Sequence, residues 1–172
     1  MLILTLGCLA SGLPVCAQEP SLVDFELEDQ FGNVHRRADV EGTIVLLIGS
    51  DKGGSSFNGL WGSAIHEALE NHPQYGQISQ LAYSDLRGVP YFLKGMIRSK
   101  FPENPDNWAL MDWKGILAET YEFERKNSNI LVFDPRGRLM HHAFGRELDE
   151  KTLDETVAIL GALLDELDDG EQ

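Results

Sequence analysis

Hydrophobic and polar positions change their period along this chain, and each change marks an element. In residues 22–28, apolar Leu22, Phe25 and Leu27 interleave with acidic Asp24, Glu26 and Glu28. Residues 29–33 supply turn chemistry before Val34, His35 and Arg36, so an N-terminal β-hairpin is predicted. Residues 43–48 form an unbroken β-branched and aliphatic run, the pattern of a central strand buried on both faces. After a Gly/Ser turn, Leu60, Trp61, Ala64, Ile65, Ala68 and Leu69 recur at helical spacing until Asn71, His72 and Pro73 end the run. A strand over residues 78–84 follows, then a loop and a helix that opens at Pro90 and ends near Phe101 and Pro102. Residues 108–111 predict a short strand, 114–121 a short helix and 129–133 a further strand. Asp134, Pro135, Arg136 and Gly137 turn the chain tightly into residues 138–144, an antiparallel hairpin. Leu153, Val157, Leu160, Leu164 and Leu167 share one stripe of a closing amphipathic helix, with Asp149 and Glu150 at its positive end. Residues 165–172 are expected to form a solvated acidic tail.

The opening segment alters the chemical picture. Residues 1–17 are uncharged, mostly apolar to Leu13, broken by Gly12 and Pro14, and end in Val15, Cys16 and Ala17, which fits the small-residue rule for signal cleavage. We expect a signal peptide over 1–17, one mature domain over 18–172, and a periplasmic or secreted location. The stretch lacks a basic n-region and is too short and too broken for a comfortable membrane span. Neither Cys8 nor Cys16 has a convincing lipobox before it. These two are the only cysteines of the chain, so a mature form has no thiol and relies on burial alone, without disulfides, to offset chain entropy. The net charge of -14 argues against nucleic-acid phosphate as the ordinary partner.

The order strand, helix, strand, helix, then hairpin and closing helix, fronted by an extra hairpin, resembles the thioredoxin-like superfamily in its redoxin or peroxiredoxin-like form. The resemblance rests on that order and on the texts FELEDQFGNV, TIVLLIGSDKGGSSFNGLW and NILVFDPRGRLMHHAFG. The stretch from Ser84 to Phe123, with the hairpin and helix that follow, is similar to the small exported bacterial family called YtfJ-like. The resemblance implies a three-layer α/β fold with a central mixed β-sheet, helices on both faces and an extra N-terminal hairpin.

It also implies what is missing. In such oxidoreductases the first buried strand delivers a cysteine to a helix N-terminus, where backbone N–H groups and the helix dipole lower its pKa. Aligning the strand end puts Gly53 and Ser56 where the C-x-x-C pair would stand, and the superfamily's cis-proline position falls on Ser128. A serine hydroxyl neither forms a disulfide nor attacks peroxide as a thiolate does. No catalytic residue, metal or cofactor is therefore expected. The vestigial groove is expected around Asp51, Lys52, Gly53, Gly54, Ser55 and Ser56, with Asn127 and Ser128 opposite, and a protein or peptide of the cell envelope is the expected partner. The alternative is a redoxin-like thiol peroxidase or disulfide reductase that retains Cys8 or Cys16. A regulator of transcription, a label attached to the similar family, conflicts with the acidic balance and with the lack of a DNA-reading helix.

Other residues carry weaker signals. Gly49 and Gly54 mimic the outer glycines of a P-loop, yet Ser55 stands where its lysine belongs and Lys52 precedes the glycines, so a cap on the helix by Ser55 or Ser56 is the favoured role. No spacing announces a histidine and an acid beside Ser56. His141 and His142 are adjacent on a strand and point to opposite faces, which disfavours a shared metal ion. Arg87, Lys94 and Arg98 offer either a docking stripe or a solvated face. Trp61, Trp108 and Trp113 read as core or core-edge residues, the last two flanking a strand end where they are able to line a groove.

Overall fold

A computed structural model describes residues 20–170. The signal-peptide reading and both cysteines lie outside those residues. The strands are β1 (Glu26–Glu28), β2 (Val34–Arg36), β3 (Ile44–Ser50), β4 (Ile78–Asp85), β5 (Leu110–Asp112), β6 (Ser128–Phe133) and β7 (Leu139–Gly145). The helices are α1 (Ser55–Leu69), α2 (Lys94–Arg98), α3 (Ile116–Thr120) and α4 (Glu150–Gly170).

Five strands form a mixed sheet in the order β5-β4-β3-β6-β7, and β1 and β2 pair as a separate antiparallel hairpin. β3 runs parallel to β4 and antiparallel to β6, and every one of its seven residues is buried, as its unbroken apolar run requires. Alternation splits the run between two cores. Val45 and Leu47 pack with Leu81, Tyr83, Leu117, Tyr121, Leu131 and Phe133 under the hairpin and α3. Ile44, Leu46 and Ile48 pack on the opposite face with Trp61, Ile65 and Leu69 of α1 and Leu160, Leu163 and Leu164 of α4. The architecture is therefore a central mixed sheet with helices on both faces and an added hairpin, the three-layer α/β arrangement the sequence led us to expect.

Polar groups buried beside these cores fix the connections. The Asp112 carboxylate, fully buried, accepts the Tyr83 hydroxyl at 3.0 Å and the N–H groups of Lys114, Gly115 and Leu117, which seats the start of α3. The Tyr83 phenol is pushed up by burial and by the adjoining Asp112 charge. Gly115 takes φ +74° there, a left-handed conformation that suits glycine.

Two elements differ from expectation. The helix expected to run from Pro90 to Phe101 is a 3-10 turn over Tyr91–Leu93 followed by the five-residue α2, which leaves Tyr91, Phe92 and Met96 exposed. Gly95 inside this short segment weakens helical continuation, and Lys94 and Arg98 are drawn instead to Glu28 of β1. The acidic stretch near the C-terminus continues α4 to Gly170 rather than beginning a tail at 165. His72 meets Asp165 at 3.2 Å and Gln74 donates to Asp168 at 3.0 Å, so the α1–β4 connection holds those last turns. Among the described residues no helix is long and apolar enough to cross a membrane.

Candidate functional site

The site grows from the end of β3. Ser50 is buried, and the chain then turns through residues 51–54 into α1. Asp51 organises that turn. Its Oδ1 accepts the N–H of Gly53 at 2.9 Å and of Gly54 at 3.1 Å, and also the N–H of Lys126 at 3.1 Å from the loop before β6. Its Oδ2 lies 3.5 Å from Arg125 Nε. One carboxylate thus stitches together two loops that are far apart in sequence.

Sterics close the same junction. A Cβ at Gly53 would come within 2.8 Å of Lys126 Cγ, and one at Gly54 would overlap the Asn127 carbonyl oxygen. Lys126 holds φ +62°, which turns its N–H toward Asp51. Behind it, fully buried Asn129 accepts the Glu124 N–H at 2.7 Å through Oδ1 and donates to the Glu124 carbonyl at 3.0 Å. Arg146 adds a bond from Nε to the Lys126 carbonyl at 3.2 Å.

The structure therefore brings Asp51, Gly53 and Gly54 against Lys126 and Asn127, with Ser128 buried beneath as the first residue of β6. Lys52, Gly53, Ser55 and Ser56 are exposed, so this junction presents a shallow surface instead of a deep groove. Ser128 Oγ has no hydrogen-bond partner among the described residues, and no peptide bond there is cis.

The chemistry available is limited. The expected serine cap is not made, because Gly54 is the N-cap and Ser55 Oγ donates instead to the Lys52 carbonyl at 3.0 Å. The backbone donors of residues 53 and 54, the kind that hold a phosphate elsewhere, already hold the Asp51 carboxylate. The five histidines are engaged away from Ser56: His35 on Asp29, His66 on Tyr75 and Glu70, His72 on Asp165, His141 on Thr156, and His142 against Phe123 and Phe144. His141 faces α4 and His142 the opposite side of β7, the alternation a strand imposes. Among the described residues no group of three histidine, cysteine or acidic side chains is arranged for a metal ion.

The three cations singled out earlier are paired and do not share one helix stripe. Arg87 forks onto Asp85, with Nη2 to Oδ2 at 2.6 Å, and reaches Glu119 at 3.2 Å. Lys94 meets Glu28 at 3.0 Å and Arg98 joins the same carboxylate. The Lys94 hydrogen bond, acting against burial, draws the Glu28 carboxyl below its ordinary value. Lys94 also stands over the rings of Tyr91 and Trp113 at 5.5 and 5.7 Å.

A cluster near the hairpin escaped the sequence. Buried Asp29 accepts the N–H groups of Phe31 and Asn33 and meets His35 Nε2 at 3.1 Å. Burial opposes the charge on Asp29, but His35, Asn33 and the backbone donors hold its carboxyl below the ordinary value. The His35 ring stacks on Trp108 with centroids 4.1 Å apart. Gln30 beside it clamps residues 102–109, donating to the carbonyls of Pro102 and Asn107 and accepting the Ala109 N–H. An acid before a glycine turn is the available signal, and by itself it predicts only a turn.

Trp108 lines a groove of about 350 Å³ between α1, β4 and residues 101–109. Trp61 is fully buried beneath α1 and belongs to the core, as expected.

No protein-family model and no curated protein sequence matches this chain. Solved structures do. The exposed lipoprotein thioredoxin of Streptococcus pneumoniae superposes with a TM-score of 0.56 at 21% identity, covering 79% of this chain and 98% of that one. A candidate thiol:disulfide interchange protein DsbE of Chlorobium tepidum gives 0.60 at 16% identity, covering 85% and 96%. The thioredoxin domain of a thiol-disulfide oxidoreductase from Bacteroides vulgatus gives 0.55 at 17% identity, covering 84% and 97%. With the sheet order, the helical layers and the β3–α1 junction already described, these likenesses show that the chain has the thioredoxin-like fold.

Proposed function

We propose that this protein is an exported, non-catalytic binding or accessory protein of the cell envelope. In this reading it descends from the redoxin branch, resembles the YtfJ-like family, and offers a partner polypeptide the surface of residues 51–56, 127 and 128. One observation carries the reading: the β3–α1 junction keeps its architecture while the Asp51 carboxylate fills the backbone donors of Gly53 and Gly54, and in this reading Gly53 and Ser56 take the places of the two thiols. Exposed Lys52, Gly53, Ser55 and Ser56 give a peptide a surface to lie on even where no covalent chemistry is available.

Covalent reach further supports a non-catalytic role against the retained-thiol alternative. The Pro20 carbonyl accepts the Leu139 N–H at 2.8 Å, at the start of β7. β7 and β3 are both antiparallel to β6, so Leu139 lies at the end of the sheet away from residues 51–56, whereas Gly145 pairs with Ser128 beside them. Leu139 to Gly145 spans about 20 Å at strand rise. Cys16 precedes Pro20 by four residues and reaches at most about 14 Å, so it falls short of the α1 start. Only Cys8 has the length, and a lone thiol cannot rebuild the C-x-x-C pair of a disulfide reductase.

The test is hydrogen exchange of the protein in the presence of an envelope extract from its own source. Protection of residues 51–58 or 125–130 is expected. Protection confined to other segments contradicts this reading.

A further inference from the structure

The groove beside α1 has the chemistry of a second recognition site. Its one wall is the flank of α1 that carries Gly59 and Gly62, its floor is β4 around Ala82, and its other wall is Phe101, Pro102 and Trp108. About 350 Å³ is room for a large side chain and lies within the usual range of ligand pockets. The groove starts one turn into α1 at Asn58, whose amide donates to Ser50 Oγ at 3.0 Å, so it adjoins the β3–α1 junction without including it.

Three independent features narrow the occupant. The first concerns the helix. Glycine within a helix lowers folding stability, and here no backbone constraint demands it: a Cβ at Gly59 would meet nothing within 4 Å, and one at Gly62 only Ile48 Cδ1 at 3.8 Å. The two positions leave α1 bare where the groove needs depth. The second concerns the sheet. β5 pairs with β4 only over Tyr83–Asp85, so the outer edge of residues 78–82 has no strand partner, and residues 80–82 line the groove. An edge of that kind offers main-chain donors and acceptors to an extended polypeptide. The third is charge. Asp106 on the wall makes no ion pair among the described residues, no lysine or arginine lines the groove, and the chain carries a net charge of -14.

We infer that the groove binds an extended segment of a partner polypeptide, with a large apolar side chain seated against Gly59 and Gly62 and an adjacent lysine or arginine on Asp106. The inference rests on the reading of the protein as a binding module, but on a different surface from residues 51–56. No bond is made or broken.

The test is an NMR titration of the full chain with two short capped peptides, Lys-Leu-Phe-Lys and Glu-Leu-Phe-Glu. The lysine peptide is expected to shift the amide signals of Gly59, Gly62 and Ala82 and the Trp108 indole signal, and the glutamate peptide to bind about tenfold more weakly. Gly62→Leu and Gly59→Leu fill the groove and are each expected to weaken the lysine peptide at least about tenfold. Both variants are expected to melt no lower than the parent, which separates blocked binding from misfolding. Equal binding by the filled variants, equal binding of both peptides, or no shift at the solubility limit overturns the inference. Shifts confined to residues 51–56 and 125–128 overturn it while favouring the surface at the β3–α1 junction.

Discussion

Gly54 and Asn127 are in backbone contact so close that a side chain on the first would overlap the carbonyl oxygen of the second. The contact makes the turn into α1 and the entry to β6 one mechanical unit. Asp51 adds the polar half of the same junction by accepting Lys126 N–H at 3.1 Å. A polypeptide partner would therefore meet a preformed surface that does not need to be ordered on binding.

Gly54→Ala tests the contact. One of the two loops must shift, and we expect a loss of about 1–3 kcal/mol, as for overpacked sites. For a domain of this size that is about 2–4 °C in Tm for each kcal/mol. Urea denaturation of parent and variant reads it; an unchanged midpoint would mean the loops are not in contact.

Asp51→Ala removes the acceptor that serves Gly53, Gly54 and Lys126. We expect a cost of about 1–3 kcal/mol for donors left without a partner. Amide exchange at those three residues should accelerate while that of the α4 core turns, near Leu160 and Leu164, stays as it was. Uniform acceleration across the protein would instead indicate global unfolding.

Gly59→Ala should move stability in the opposite direction. The added methyl meets nothing, and the exchange of glycine for alanine within a helix favours folding by up to about 1 kcal/mol. A lower Tm for this variant would show that Gly59 has a backbone role in the free protein.

The large elements were legible because burial leaves a pattern. The run at 44–48 is apolar throughout because Leu46 and Leu47 face different cores, and the stripe of Leu153, Val157, Leu160, Leu164 and Leu167 is the covered face of α4. The end of β3 and the start of α1 were legible too, because the apolar run stops at the Gly/Ser turn of residues 53–56. What Asp51 and Asn129 do was not legible. An acid after a strand and an asparagine at the head of one are ordinary residues, and their meaning lies in partners such as Lys126 and Glu124 that only the folded chain brings close. The ion pairs of Arg87, Lys94 and Arg98 were not legible for the same reason, since Glu119 and Glu28 arrive from other elements.

Stability should fall on mild acidification through β7. Burial lowers the pKa of His141, against a weaker pull from Glu155, and lowers that of His142, to which His141 adds. Both rings therefore take up protons less readily in the fold than in the unfolded chain. Their contribution is fully present above the ordinary histidine value of 6.5 and is lost as pH falls below it toward the folded values. Thermal melts between about pH 7.5 and 5.5 should show a declining Tm, and the His141→Gln, His142→Gln double variant should flatten the decline. An equal slope in both proteins would assign the effect elsewhere. The depressed Asp29 carboxyl acts only at lower pH, its stabilisation being present above the ordinary aspartate value of 3.8 and lost as pH falls below that toward the lower folded value.

Native mass spectrometry of the protein recovered from its source cells separates a thioredoxin-like fold that works by binding from one that works through a thiol. A chain that begins near Gln18, has no cysteine and carries a non-covalently bound polypeptide is the expected result. A chain that keeps Cys8 and is joined to its partner through a disulfide would contradict it.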